Sequence, residues 1–182
     1  MSRVLLALAP LAAAAVYFFG WRVVLLLACA NAAGFLTEYL FCRAWKQPVS
    51  AAVFVTSSLL VFSLPPPIPI WMAIAGTVFG VLFGKMAFGG FGRNVFNPAL
   101  TGRAFLYLCF GAHMTGRWSL PVEGPFGGFA AYAPDAVTAA TPGMLLKTGA
   151  LFPLADLVFG RTAGTIGGTS ALRIGRNLAR ST

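Results

Sequence analysis

Residues 135–143 read DAVTAATPG: an aspartate, two threonines three positions apart, and a Thr-Pro-Gly exit. A threonine hydroxyl is a poor nucleophile at neutral pH and needs an outside base or enzyme to become an ester. The same residues also read as a helix start, with Thr141 as the cap and Pro142 at the first helical position. A helix start favours a phosphate, because free N–H groups point at it, and Lys147 adds positive charge nearby. Residues 84–105, GKMAFGGFGRNVFNPALTGRAF, form a second polar and glycine-rich stretch. On a helix start, Asn94 and Asn97 share one face, and each amide offers two donors and an acceptor. Such a pair could hold a planar heteroaromatic ring that glycines let approach closely. The plainer reading is tight helix packing at the glycines, with Asn94 as an N-cap.

Other polar groups carry less. Lys85 is outside the frame of a Walker loop. Lys85 and Arg93 read as anchors at the ends of apolar runs. Glu38 lies inside an apolar run, which makes it a functional candidate by default, against a plain reach toward Arg43. His113 is single, reads as a loop residue, and cannot form a paired-histidine haem site. Cys29, Cys42 and Cys109 are far apart with no CxxC pair and read as buried thiols. The remote alternative is a cluster ligand shared with another subunit. No catalytic residue and no metal site is assigned.

The elements that would position these residues are helices in lipid. Of 182 residues, 58% are hydrophobic and only 9% are charged, where a soluble domain carries about a quarter charged. The expected fold is an all-α integral membrane protein, a multi-pass helical bundle of about five to six spanning or re-entrant helices. Candidate spans are 4–19, 23–42, 49–64, 70–88 and roughly 95–111. The run Pro65-Pro66-Pro67-Ile68-Pro69 stops the third, since proline removes a donor and clashes with the preceding turn. Residues 1–111 then form the membrane region and 112–150 an outer loop with the threonine cassette. Residues 151–172 form a Gly-broken re-entrant or partial sixth helix, and 173–182 a basic tail. The start, Met1-Ser2-Arg3, reads as the first arm of a hairpin rather than a signal peptide. The net charge of +9 is scattered at span ends and marks topology, not nucleic acid. Arg3, Arg43, Lys46, Lys85 and Arg93 fall on one side, which puts the N-terminus in the cytoplasm and the cassette outside.

Taken in order, FFGWR (18–22), TEYLF (37–41), SLPPPIPIWMAIAG (63–76), GKMAFGGFGRNVFNPALTGRAF (84–105), DAVTAATP (135–142) and GTIGGTSAL (164–172) resemble the RnfD/NqrB family. Those proteins are membrane subunits of bacterial ion-translocating redox complexes, and the shorter N-terminus here is more like RnfD. The resemblance implies one half of the RnfD/NqrB fold, which is similar to urea transporters. It implies FMN joined covalently by a phosphodiester to Thr141, the last residue of a motif that begins at Thr138, with a flavin transferase as maturation partner. It places a second flavin, riboflavin in sodium-pumping relatives, near Asn94 and Asn97. Further implied partners are the other subunits of the complex and membrane lipid, with localisation in the bacterial inner membrane. Family members are about twice as long, usually have a glutamate where Gly168 stands, and continue as an apolar helix where this chain reads RIGRNLARST. That ending reads as a truncation or a frameshift. The implied function is an electron-carrying subunit that couples ferredoxin–NAD electron flow to Na⁺ or H⁺ transport, without catalysis of its own. Two other readings remain: a small-solute channel or transporter lined by the Gly-rich fifth helix, and a non-functional fragment.

Overall fold

The computed structural model of the protein describes residues 2–90, 92–115, 118–119, 136–137 and 165–167. Each of the five apolar runs becomes a helix. α1 (Ser2–Phe19) turns into α2 (Arg22–Trp45) at Gly20, whose positive φ of 79° is cheap only for glycine. α2 ends where Lys46 adopts the left-handed conformation, φ 54° and ψ 36°, and its N–H turns back to Arg43 and Cys42 carbonyls. Gln47 N–H then closes on Cys42 O at 2.9 Å, and Pro48 prevents continuation. α3 (Ala52–Ser63) stops because Leu64 is extended, at φ −88° and ψ 156°, as the residue before a proline is driven to be. α4 (Ile70–Gly84) follows Pro69 and runs into a single 3-10 turn, Met86–Phe88. Gly89, Gly90 and Gly92 all have positive φ, and this turn leads to α5 (Pro98–Thr115).

Among the described residues, two helices, Arg22–Trp45 and Ile70–Phe88, are long and apolar enough to cross a membrane. α3, with 12 residues, is about 18 Å long and falls short of a hydrocarbon core of about 30 Å. α5 starts three residues later than the sequence reading places it, because Pro98 takes the first helical position. It continues past 111, with a break at Phe110 (φ −132°, ψ 39°), so His113 is in its last turn and not in a loop. After it, β1 (Trp118–Ser119) pairs antiparallel with β2 (Ala136–Val137), Trp118 opposite Val137.

The closest packing is between α4 and α5. Gly76, Gly80 and Gly84 recur one turn apart on α4, a small-residue stripe that lets backbones approach. A Cβ at Gly80 would lie 2.4 Å from Pro98 O, and one at Gly102 would lie 2.4 Å from Gly76 O. Phe79 stacks on Phe105 at 4.2 Å, and Trp71 meets Phe110 edge-on at 5.2 Å. These contacts run antiparallel, with the start of α5 at the end of α4.

The main apolar core gathers Phe19, Leu26, Leu60, Leu64, Ile68, Met72, Leu106, Met114 and Ile166. It fills the end of the bundle that holds the proline turn. Arg22 clamps that turn: its Nη2 donates to Ile68 O at 2.9 Å and to Pro67 O at 3.4 Å. Proline-rich backbone has carbonyls but few N–H groups of its own, so a cationic side chain is an apt donor. Arg22→Ala is expected to cost about 1.5–3 kcal/mol, the worth of hydrogen bonds to a charged group. Thermal unfolding of the purified chain in detergent checks this; an unchanged midpoint would remove the clamp.

Candidate functional site

At the other end of the bundle, three segments bring charge together out of solvent. Glu38 lies on the buried face of α2 and is 1% exposed. Lys85, at the junction of α4 with the 3-10 turn, is 2% exposed. Lys85 Nζ donates to Glu38 Oε2 at 2.6 Å and to Ser50 Oγ at 2.9 Å. Ser50 N–H donates to Glu38 Oε1 at 2.9 Å. One carboxylate thus ties α2, the segment leading into α3, and the end of α4. A small apolar cluster of Cys42, Val53, Val81 and Met86 packs around it.

Both carboxylate oxygens are engaged, as burial of a charge requires. A cavity of about 270 Å³ borders Glu38, lined also by Cys42, Gln47, Ser50, Met86 and Gly90 among others. It has room for several waters. The arrangement keeps the carboxylate neutralised in low dielectric, so that removal of either partner would leave a buried charge uncompensated.

This corrects two sequence readings. Glu38 does not reach to Arg43, whose Nη1 lies 3.5 Å from Tyr39 Oη instead. Lys85 is not an anchor in the interface but the buried counter-ion of Glu38. The pair is 47 residues apart in sequence, and spacing alone offers no signal for it. The one signal available, given an acid inside α2, is a lysine directly after an apolar helix.

Asn94 and Asn97 do not share a helix face, because both precede Pro98. Asn94 Nδ2 donates to Phe96 O at 3.3 Å. Asn97 is the cap of α5: its Oδ1 accepts from Ala99 N–H at 3.0 Å, and its carbonyl accepts from Thr101 N–H at 3.0 Å. The capping role expected of Asn94 therefore belongs to Asn97, and Asn97-Pro98 is a familiar cap-and-first-turn pairing. A mostly apolar groove of about 410 Å³ runs beside it, lined by Phe96, Asn97, Leu100, Thr101 and Ala104.

Thr138, Thr141, Pro142 and Lys147 lie outside the described residues. So do Gly168 and the basic tail. The described residues on either side of the cassette both belong to the proline-turn end of the bundle. Thr138 follows β2 directly in sequence, and β2 is paired to β1 just beyond α5. Further on, Ile166 N–H donates to Leu64 O at 3.1 Å and Gly167 N–H to Phe62 O at 2.8 Å, which satisfies carbonyls at the end of α3. A side chain at Gly167 would meet Phe62 Cβ at 2.9 Å, so glycine is required for this approach. Among the described residues no group of His, Cys, Asp and Glu is arranged to hold a metal ion.

Comparison with known proteins gives these motifs a context. The profile of the NQR2, RnfD, RnfE family matches residues 1–175. A subunit of the Na(+)-translocating ferredoxin:NAD(+) oxidoreductase complex of Acetobacterium woodii is 36% identical over 182 aligned positions, covering 96% of this chain and 54% of that protein. A subunit of the ion-translocating oxidoreductase complex of Escherichia coli O1:K1 is 40% identical over 128 positions, covering 68% of this chain and 36% of that protein. The corresponding protein of Escherichia coli K12 matches to the same extent, 40% over 128 positions. The chain thus spans about half, or less, of the length of these curated relatives. With the profile covering almost all of it, the chain belongs to the NQR2, RnfD, RnfE family.

Proposed function

We propose that this protein is a membrane subunit of a bacterial ion-translocating ferredoxin:NAD oxidoreductase complex, and that it carries FMN covalently on Thr141. The observation that carries this reading is the Thr138-Ala139-Ala140-Thr141 cassette, in family order, within a chain that matches the family over residues 1–175. The names of its relatives, ion-translocating oxidoreductase subunits, support the same assignment.

The bundle is multi-pass in the inner membrane, with its N-terminus in the cytoplasm. Lys85 no longer counts as a topology signal once it is paired with Glu38. Arg43, Lys46 and Arg93 still concentrate positive charge at the end of the bundle that holds that pair, and the positive-inside rule makes this end cytoplasmic. The cassette then belongs to the outer side, where β2 leads into it.

Bound flavin would supply the capacity to accept electrons and pass them on one or two at a time. The residues of this chain contribute placement. Thr141 contributes one hydroxyl as the ester oxygen, and Thr138 begins the small-residue motif that a flavin transferase recognises. For a second flavin, the residues near α5 fit in part. The groove offers an apolar wall at Leu100 and Ala104, and Asn97 keeps an amide N–H₂ while its oxygen caps the helix. Asn94 is not among the residues lining that groove. At the cytoplasmic end, Glu38, Lys85 and Ser50 tie α2, α4 and the segment before α3 together.

Wild-type chain, co-expressed with a flavin transferase and run on a denaturing gel, is expected to fluoresce as a flavoprotein. Thr141→Ala is expected to give a band of equal protein and no fluorescence. A fluorescent Thr141→Ala band would move the attachment elsewhere.

A further inference from the structure

A second polar group lies in the middle of the bundle, away from Glu38. Asn31 is about 13 Å along α2, and Ser57 and Ser58 stand at the centre of α3. Asn31 Nδ2 donates to Ser58 Oγ at 3.4 Å. Asn31 Oδ1 and Ser57 Oγ are both buried and, among the described residues, have no hydrogen-bond partner. Ser57 is 0% exposed.

The contrast with neighbouring hydroxyls is informative. A serine or threonine inside a helix ordinarily donates to a carbonyl one turn back. Thr37 does so to Ala33 O and Thr77 to Ala73 O, each at 2.8 Å. Ser57 does not. Its Oγ faces across to α2 instead, where a Cβ at Gly34 would lie only 2.4 Å away. Asn31 and Gly34 are three residues apart and share that face of α2. Two orphaned polar atoms therefore lie along one helix seam, Ser57 facing Gly34 and Asn31 one turn before it on the same face of α2, where an unmet hydroxyl is costly.

We propose that the α2–α3 seam is a binding site for one ordered water, which donates to Asn31 Oδ1 and accepts from Ser57 Oγ–H. The chemistry favours a neutral ligand. The orphaned atoms are one amide oxygen and one hydroxyl, with no carboxylate beside them, and a bound water needs two to four polar partners. The site is separate from the Glu38 cluster. Val53, one turn before Ser57, is fully buried, touches the same Gly34 position, and belongs to the apolar group around Cys42, Val81 and Met86. Hydration thus reaches the membrane's middle at a point the cytoplasmic cavity does not. The proposal rests on the reading of the chain as a membrane protein but not on its flavin, so loss of flavin attachment leaves it standing.

The test is radiolytic hydroxyl labelling of the purified 182-residue chain in detergent, read by mass spectrometry. Bound water is a local source of radicals. Labelling at residues 57–58 is expected to exceed that in residues 60–62, which are buried to a similar degree, and to vanish in Asn31→Leu/Ser57→Ala. In parallel, Ser57→Ala is expected to lower the unfolding temperature by about 2–4 °C, with the double variant losing less than the sum of the two single ones. Equal labelling of the two segments, or a Ser57→Ala chain that melts no lower than wild type, would overturn the site. A rise in melting temperature in NaCl over choline chloride that Ser57→Ala abolishes would also overturn it, by assigning the seam to a cation.

Discussion

Lys85→Met is expected to cost about 3–5 kcal/mol of stability, because it leaves the Glu38 carboxylate buried without its cation. Ser50 N–H still donates to Oε1, but one backbone donor does not offset the desolvation of a full charge. Glu38→Gln is expected to cost a similar amount, since it strands the ammonium. Glu38→Gln/Lys85→Met removes both charges, keeps the amide oxygen that Ser50 N–H requires, and is expected to recover most of the loss. Buried pairs behave this way: removal of one partner is far worse than removal of both. Unfolding of the four chains in mixed micelles, as a double-mutant cycle, measures the coupling. Single variants that lose under about 1 kcal/mol, the scale of exposed pairs, would mean that the pair is solvated. The geometry argues against this, since both side chains are at most 3% exposed.

The second large effect is expected at the α4–α5 contact. Gly80→Ala and Gly102→Ala each place a methyl group 2.4 Å from a backbone carbonyl oxygen of the facing helix. No rotamer relieves such a contact, so the helices must separate, at a cost of about 3 kcal/mol, the upper end of overpacking. Gly76→Ala is the internal control. Its nearest neighbours are the Leu106 side-chain carbons, at 2.6 Å and 2.9 Å, and a leucine can turn aside. A loss about half as large is expected there. Gly111 has nothing within 4 Å of its added Cβ, and Gly111→Ala is expected to be neutral or slightly stabilising. Equal effects at all four positions would contradict backbone contact as the cause.

Much of the architecture could be read from the sequence because it is local. The five apolar runs, the hairpin at Gly20, and the stop at Pro65–Pro69 depend on hydropathy and on proline and glycine chemistry. The start of α5 was also written locally, in Asn97-Pro98, although the equal claim of Asn94 as a cap obscured it. The glycine repeat 76–80–84 is visible in GTVFGVLFG, and its partner surface at Pro98 and Gly102 follows from the short turn between α4 and α5. What remained out of reach is tertiary. Glu38 could be flagged as an acid in an apolar helix, but its nearest cation in sequence, Arg43, is turned to Tyr39 while a lysine on another helix takes its place. The orphaned atoms of Asn31 and Ser57 arise from the rotation of α3 against α2, which no periodicity of α3 reveals. Thr138 and Thr141 stand apart: their case rests on motif and family, and their chemistry is decided by mass rather than geometry.

Intact-mass measurement of the chain, purified from cells that express a flavin transferase, tests the central claim most directly. The expected result is one species heavier than the polypeptide by one FMN less one water, with the increment mapped to the peptide containing Thr141 and absent from Thr141→Ala. A wild-type chain that weighs no more than its 182 residues would contradict the assignment.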